Sequence, residues 1–157
     1  MAEKYLEHIN EAEKILKIAK HFALVIFPAV KDKKILLKVL EEITKVIKNC
    51  ISSVLQYEYI YKRINLYRNP KTNFEVFKNQ CSKRFNINQN EVILIKELFE
   101  LSEKHRKSAM EFTAKEKVVI LSESLETFSL TIDKIKLFLT LADSILLKTK
   151  DIILRKI

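Results

Sequence analysis

Between Tyr59 and Arg84 the chain carries Lys62, Arg63, Arg68, Lys71, Lys78, Lys83 and Arg84 against a single acid, Glu75. About one sixth of the 157 residues therefore holds +6 of a net charge of +9, and three of the five arginines. Cations at this density, interleaved with Tyr59, Tyr61, Tyr67, Phe74 and Phe77, are the residue types that neutralise phosphates and stack on bases. A second run, Lys104-His105-Arg106-Lys107 with Lys115 and Lys117, nets +3 after Glu111 and Glu116. Antiparallel packing that brought the two runs together would make one positive surface. The residues expected to contact nucleic acid, RNA ahead of DNA, are therefore Lys62, Arg63, Tyr67, Arg68, Lys71, Lys83, Arg84, Lys104, Arg106 and Lys107. They would hold the phosphate backbone, since no recognition helix or zinc-finger pattern is there to read bases. Replacing Arg63, Arg68 and Arg84 with Glu is expected to abolish binding without unfolding the protein.

Other chemistry competes with this. Tyr57 and Tyr61 fall on an apolar helical stripe, and Phe74, Phe77 and Phe85 recur at helical spacing, which leaves Tyr59 and Tyr67 as the aromatics free to stack. The same basic elbow suits an acidic protein partner, and the wide apolar face of the last helix suits self-association as a homodimer. The chain contains no glycine. That excludes a P-loop, a G-x-G-x-x-G dinucleotide turn and a G-x-S-x-G nucleophile elbow, each of which needs backbone that only glycine adopts cheaply. No Glu-x-x-His pair precedes His8, His21 or His105, and the two cysteines and three histidines lie far apart, so no metal, cofactor or catalytic residue is assigned. Glu97, Glu100 and Glu103 read as a solvated helix face, His8 as a surface partner of Glu11, and His21 as a helix-end residue facing the dipole. Cys50 and Cys81 have no C-x-x-C partner and read as buried, reduced thiols, which points to the cytoplasm. The opening Met1-Ala-Glu-Lys-Tyr5 is polar where a secretory leader would be basic and then apolar, and the apolar run Phe22–Val30 is too short to span a bilayer. No membrane association is expected.

The positioning elements follow from apolar spacing. Tyr5, Ile9, Ala12, Leu16, Ala19, Phe22 or Ala23 and Ile26 recur every three or four residues and predict an amphipathic helix ending before Pro28. Leu36, Leu40, Ile43, Ile47, Cys50, Val54, Tyr57, Tyr61 and Ile64 predict a long bundle helix with Asp32 available as its cap. Asn69-Pro70 opens a short third helix through Phe74, Phe77, Cys81 and Phe85. Asn88 with Glu91 caps a fourth that runs to about Ala109. A last helix begins near Thr131. Between them, Val118–Leu121 and Thr127–Thr131 fit either a hairpin around Ser122-Glu123-Ser124 or helical steps, and their β-branched clusters favour the hairpin. The expectation is one domain over residues 1–157: all-α or nearly so, an antiparallel bundle of four to five helices with a small β-hairpin at about 117–131.

A short opening amphipathic helix, Tyr5-Leu-Glu-His-Ile-Asn-Glu-Ala-Glu-Lys-Ile-Leu16, a long second helix and later bundle helices resemble HEPN-type helical domains, many of which act on or bind RNA. The family's ribonuclease motif is Arg, four to six residues, then His. Here His105 has no arginine upstream closer than Arg84, and His8 and His21 have none. The resemblance therefore implies a non-catalytic member that binds RNA or a partner protein, with a degenerate RNA-processing enzyme as the remaining alternative.

Overall fold

The computed structural model describes residues 2–156, with the side chains of Ala2, Glu3 and Lys156 left aside. Met1 and Ile157, assigned above to the same domain, lie outside the described residues. The order is α1 (Ala2–His21), a π-turn (Phe22–Ile26), α2 (Phe27–Val30), α3 (Lys34–Ile60), α4 (Pro70–Val76), a second π-turn (Phe77–Cys81) and α5 (Gln89–Arg106). Strands β1 (Met110–Ala114), β2 (Lys117–Leu121) and β3 (Thr127–Thr131) follow, then α6 (Ile132–Ile153) and a 3₁₀ turn (Leu154–Lys156). The fold is mostly helical, as the periodicity predicts, and no helix among the described residues is long and apolar enough to cross a membrane.

Helix α3 is the axis. Its apolar positions Leu36, Val39, Leu40, Ile43, Val46, Ile47, Cys50 and Val54 are all 0 % exposed, and α1, α5 and α6 pack around it. Small residues Ala12 and Ala19 on α1 and Ala23 in the π-turn are also buried, which lets the two backbones approach closely. The wide stripe on α6 is spent inside the chain: Ile135, Phe138, Ala142 and Ile145 are buried against the same core. The last helix is thus largely consumed by α3, α1 and α5, and the self-association face expected on it shrinks to scattered residues such as Leu137 and Leu147.

Several boundaries differ from the sequence reading; α3, for one, ends at Ile60 rather than Ile64, and the third helix ends with the π-turn at Cys81 rather than at Phe85. The first helix does not stop before Pro28; it runs on to Val30, because the π-turn joins the Phe27 N–H to the Phe22 carbonyl and so absorbs the donor that Pro28 lacks. Helix α5 ends at Arg106 rather than about Ala109, and the next residues form β1. The expected hairpin of β2 and β3 is present, but β1 pairs with β2 as well, giving a three-stranded antiparallel sheet in the order β1-β2-β3. Short Met110-Glu-Phe-Thr-Ala114 carries too little pattern to be told from a helix end; its pairing with β2 decides it. Two local caps hold as read: the Asn69 side chain accepts from Lys71 N–H ahead of Pro70, and Asn88 and Glu91 form a capping box, while Thr131, the expected start of the last helix, caps α6. Asp32, expected to cap α3, accepts the Lys34 N–H at 3.0 Å, but the N-cap position falls on Lys33, whose side chain makes no cap bond.

Without glycine, left-handed backbone falls on Lys31, Lys62, Asn86, Lys115 and Leu125. Leu125, with φ 67° in the β2–β3 loop and 76 % exposed, gains no burial to offset that conformation. Leu125→Gly is expected to stabilise the fold by about 1 kcal/mol. Thermal melting should rise by about 2–4 °C; an unchanged or lower Tm refutes the assignment of strain there.

Candidate nucleic-acid interface

Two helix ends build this site. Helix α3 closes with a bond from Arg63 N–H to the Glu58 carbonyl (3.0 Å) and another from Lys62 N–H to the Tyr59 carbonyl (2.9 Å), with Lys62 at φ 59°. This is a Schellman end with lysine where glycine is usual. The turn after the second π-segment repeats it: Ile87 N–H bonds the Ser82 carbonyl (2.9 Å), Asn86 N–H bonds that of Lys83 (3.2 Å), and Asn86 takes φ 58°. Both turns aim an arginine at one carboxylate. Glu58 is 0 % exposed; Arg63 Nη1 lies 2.7 Å from its Oε2, and Arg84 Nε lies 2.9 Å from its Oε1 in an ion contact without hydrogen-bond alignment. A buried carboxylate needs this company, because desolvating it alone costs several kcal/mol. Sequence reasoning missed Glu58, although it falls four residues after Val54 on the apolar stripe, where an acid followed by Arg63 is the available signal.

Arg63 and Arg84 are thus structural as well as basic. Their side chains remain 30 % and 50 % exposed, so each still presents part of its guanidinium outward. Reversing their charge would set carboxylates against a buried carboxylate, so the expectation that such variants leave the bundle folded is corrected. Lys62, Arg68, Lys71 and Lys83 are exposed, and among the described residues none of them is in an ion pair. Lys78 approaches Glu75 only at 4.0 Å. Tyr67 is clipped to Asn73 through its N–H (2.9 Å) and its carbonyl (2.7 Å), which holds its ring, 50 % exposed, beside Arg68 in sequence. Tyr59 is 44 % exposed, in line with the stacking role considered for it. Tyr61, read as core, is instead 47 % exposed, with its ring 4.8 Å from that of Tyr57 and under Arg63 at 5.1 Å.

The second basic run lies elsewhere. His105, near the end of α5, bonds Glu41 in the second turn of α3 (2.8 Å) and Glu111 on β1 (2.5 Å). Glu41 and Glu58 are separated along α3 by about 25 Å, at roughly 1.5 Å per residue. The two runs therefore sit at opposite ends of α3 and do not merge. Lys104 lies over the Phe128 ring at 5.3 Å, while Arg106 (2.5 Å) and Lys107 (3.0 Å) share Glu103, which they hold down to about pKa 2. Glu97, Glu100 and Glu103, read as a solvated face, line an open groove beside β3. His8 bonds Asn49 (2.9 Å) rather than Glu11, and His21 is exposed at the end of α1. Both cysteines are buried free thiols, and burial pushes each up to about pKa 12.

Burial pulls the His105 pKa down, but hydrogen bonds to Glu111 and Glu41 outweigh it and hold it above the ordinary histidine value. The proton is bound more tightly folded than unfolded, so this clamp contributes fully below about pH 6.5 and is lost as pH rises through the raised folded value. The Tm advantage of the natural chain over His105→Gln should shrink between about pH 5.5 and about pH 8.5; a constant difference contradicts the clamp. Separately, the double variant Arg63→Ala/Arg84→Ala, which leaves Glu58 alone, should lose about 3–5 kcal/mol in urea unfolding. Adding Glu58→Met should restore part of that, and a loss below about 1 kcal/mol would show that Glu58 is not held by this pair. Compared with family models, curated proteins and solved structures, the chain has no match in any of the three.

Proposed function

We propose that the α3–α4 end of this protein is a non-catalytic binding surface for nucleic acid, RNA ahead of DNA, gripping the phosphate backbone. The observation that carries the reading is the set Lys62, Arg68, Lys71 and Lys83. These cations are exposed and, among the described residues, without an acidic partner, around a centre where Arg63 and Arg84 are already anchored by Glu58. Anchoring removes much of the side-chain entropy that a flexible arginine would lose on binding. Exposed Tyr59 and Tyr67 offer faces for unpaired bases. Lys104, Arg106 and Lys107, distant and shared with Phe128 and Glu103, are assigned at most a peripheral contact with a long strand.

A non-catalytic role is favoured by the state of His105 as well. Both ring nitrogens of His105 are bonded to carboxylates, so it has no nitrogen left to exchange a proton with a substrate. The HEPN-type resemblance, without the ribonuclease motif, agrees with binding rather than cleavage. Buried free thiols suit action in the cytoplasm.

Fluorescence anisotropy of labelled single- and double-stranded RNA and DNA tests the reading. With four phosphates engaged on a single strand, affinity should fall about fifty-fold between about 50 and 200 mM salt. The variant Lys62→Gln/Arg68→Gln/Lys71→Gln/Lys83→Gln leaves the Glu58 centre intact and should lose affinity at least ten-fold, flattening the salt slope by about 0.7 per contact removed. Flat titrations with all four ligands would reject nucleic acid and leave an acidic protein as the partner of this surface.

A further inference from the structure

β2 is the middle strand, so β1 has one free edge. The inner face of the sheet is core: Val118, Ile120 and Leu130 are 1 %, 0 % and 0 % exposed. The outer face begins with Met110 and Phe112 on β1, which are 58 % and 44 % exposed. Monomeric proteins blunt free edges with lysine, proline or a bulge. β1 carries neither lysine nor proline; a bulge-type bond from the Ala109 N–H to the Leu121 carbonyl (2.9 Å) marks its start, but its register with β2 is unbroken from Met110 to Ala114, and its one charge, Glu111, is already held by His105. An open crevice of about 310 Å³ lies beside the strand, lined by Lys34, Leu37 and the consecutive Glu111, Phe112 and Thr113. β3 is different, since its exposed residues Thr127 and Ser129 are polar and the strand runs directly into α6.

The register says which backbone groups are free. A two-residue turn, Lys115-Glu116, joins β1 to β2, and the flanking pair Ala114 and Lys117 closes the hairpin. In such a ladder alternate residues turn their N–H and C=O to the partner strand. Met110, Phe112 and Ala114 therefore face β2, and Glu111 and Thr113 point theirs outward.

We propose that this edge pairs with β1 of a second copy of the chain, across a two-fold axis at Phe112, to form one six-stranded sheet. An antiparallel pairing on that axis sets Glu111 opposite Thr113 of the second copy and Thr113 opposite its Glu111. Those are the residues whose backbone groups are free, so each pair exchanges two hydrogen bonds. Phe112 then meets Phe112 of the second copy at a non-hydrogen-bonded position, where side chains come closest and aromatic pairs interact best. Met110 faces Ala114, and no like charges are opposed. That self-complementarity, apolar beside apolar with the single acid facing a threonine, is what selects a second copy over an acidic or basic peptide. A contact made by the same edge of both copies across a two-fold axis closes as a dimer instead of extending.

The dimer and the basic surface separate by their response to salt. Two chains of net charge +9 repel one another, so salt should tighten the pairing, whereas salt weakens phosphate binding. Sedimentation equilibrium of the full chain at tens of micromolar should give twice the monomer mass, with a larger dimer fraction at about 500 mM than at about 50 mM salt. Phe112→Lys, which places like charges on the axis, and Thr113→Pro, which removes an outward N–H, should both be monomeric with unchanged circular dichroism. Phe112→Cys should form a disulfide-linked dimer under mild oxidation, with Cys50 and Cys81 too deeply buried to compete. If Thr113→Pro fails to fold, the two Phe112 variants decide. A natural chain that stays monomeric at both salts overturns the proposal and leaves the edge to a different strand, and a dimer that survives Phe112→Lys overturns it too.

Discussion

A helix enclosed on all sides must neutralise every charge that its own length carries inward, and α3 is such a helix. It buries two carboxylates and the hydroxyl-bearing side chains of Thr44, Ser53 and Tyr57 along with its aliphatic face. Thr44 and Ser53 are satisfied by donating to the carbonyls of Leu40 (2.8 Å) and Tyr5 (2.7 Å). Glu42 is held by Lys38 (2.9 Å) and Lys45 (3.5 Å) on the same helix, and Glu58 by arginines from the two turns beyond it. The difference between the acids matters. Glu42 is served by neighbours one turn away, so it constrains only its own helix, whereas Glu58 draws in Arg84 from another segment and fixes where α4 and its following turn can lie. The position of the basic surface is thus a consequence of one buried acid.

The missing glycines work in the same direction. Helix ends require a left-handed residue, and Lys31 and Lys62 supply it after α2 and α3. A lysine there also complements the negative end of the helix dipole. The same substitution that compensates for absent glycine therefore delivers cations to helix ends, which is where Lys62 joins Arg68, Lys71 and Lys83. At the far end of α3, Glu41, Glu111 and Glu103 take up His105, Arg106 and Lys107, while Lys31, Lys34 and Lys115 stay exposed there and, among the described residues, outside any ion pair. The two ends thus differ in that only the α3–α4 end gathers its cations around a buried acid.

Much of this was legible in the residues. Apolar spacing located the helices because a helix buried against one core must repeat its apolar positions every three or four residues, and Asn69-Pro70 and Asn88 with Glu91 marked their starts because capping is a local bond. The basic segment was legible as composition, and Tyr59 and Tyr67 were rightly separated from the core aromatics. Tyr61 was not, because its place on the stripe falls where α3 is ending and the enclosing helices no longer reach it. The passage of helix through Pro28 was hidden by a π-turn that changes the bonding register without any residue announcing it. Strand β1 was hidden by its brevity.

The sequence by itself determined the mostly helical class, the existence of the long helix α3, the caps at Asn69 and Asn88 and the excess of positive charge, all of which depend on residues within a few positions of one another. Only the tertiary structure decided that Arg63 and Arg84 share Glu58, that His105 bridges Glu41 and Glu111, that the two basic runs lie at opposite ends of α3, and that β1 joins the sheet with a bare edge. Each of these joins residues distant in sequence, and the energy that selects them is the cost of leaving a buried charge or a backbone group without a partner, a cost that arises only once the chain has closed around it.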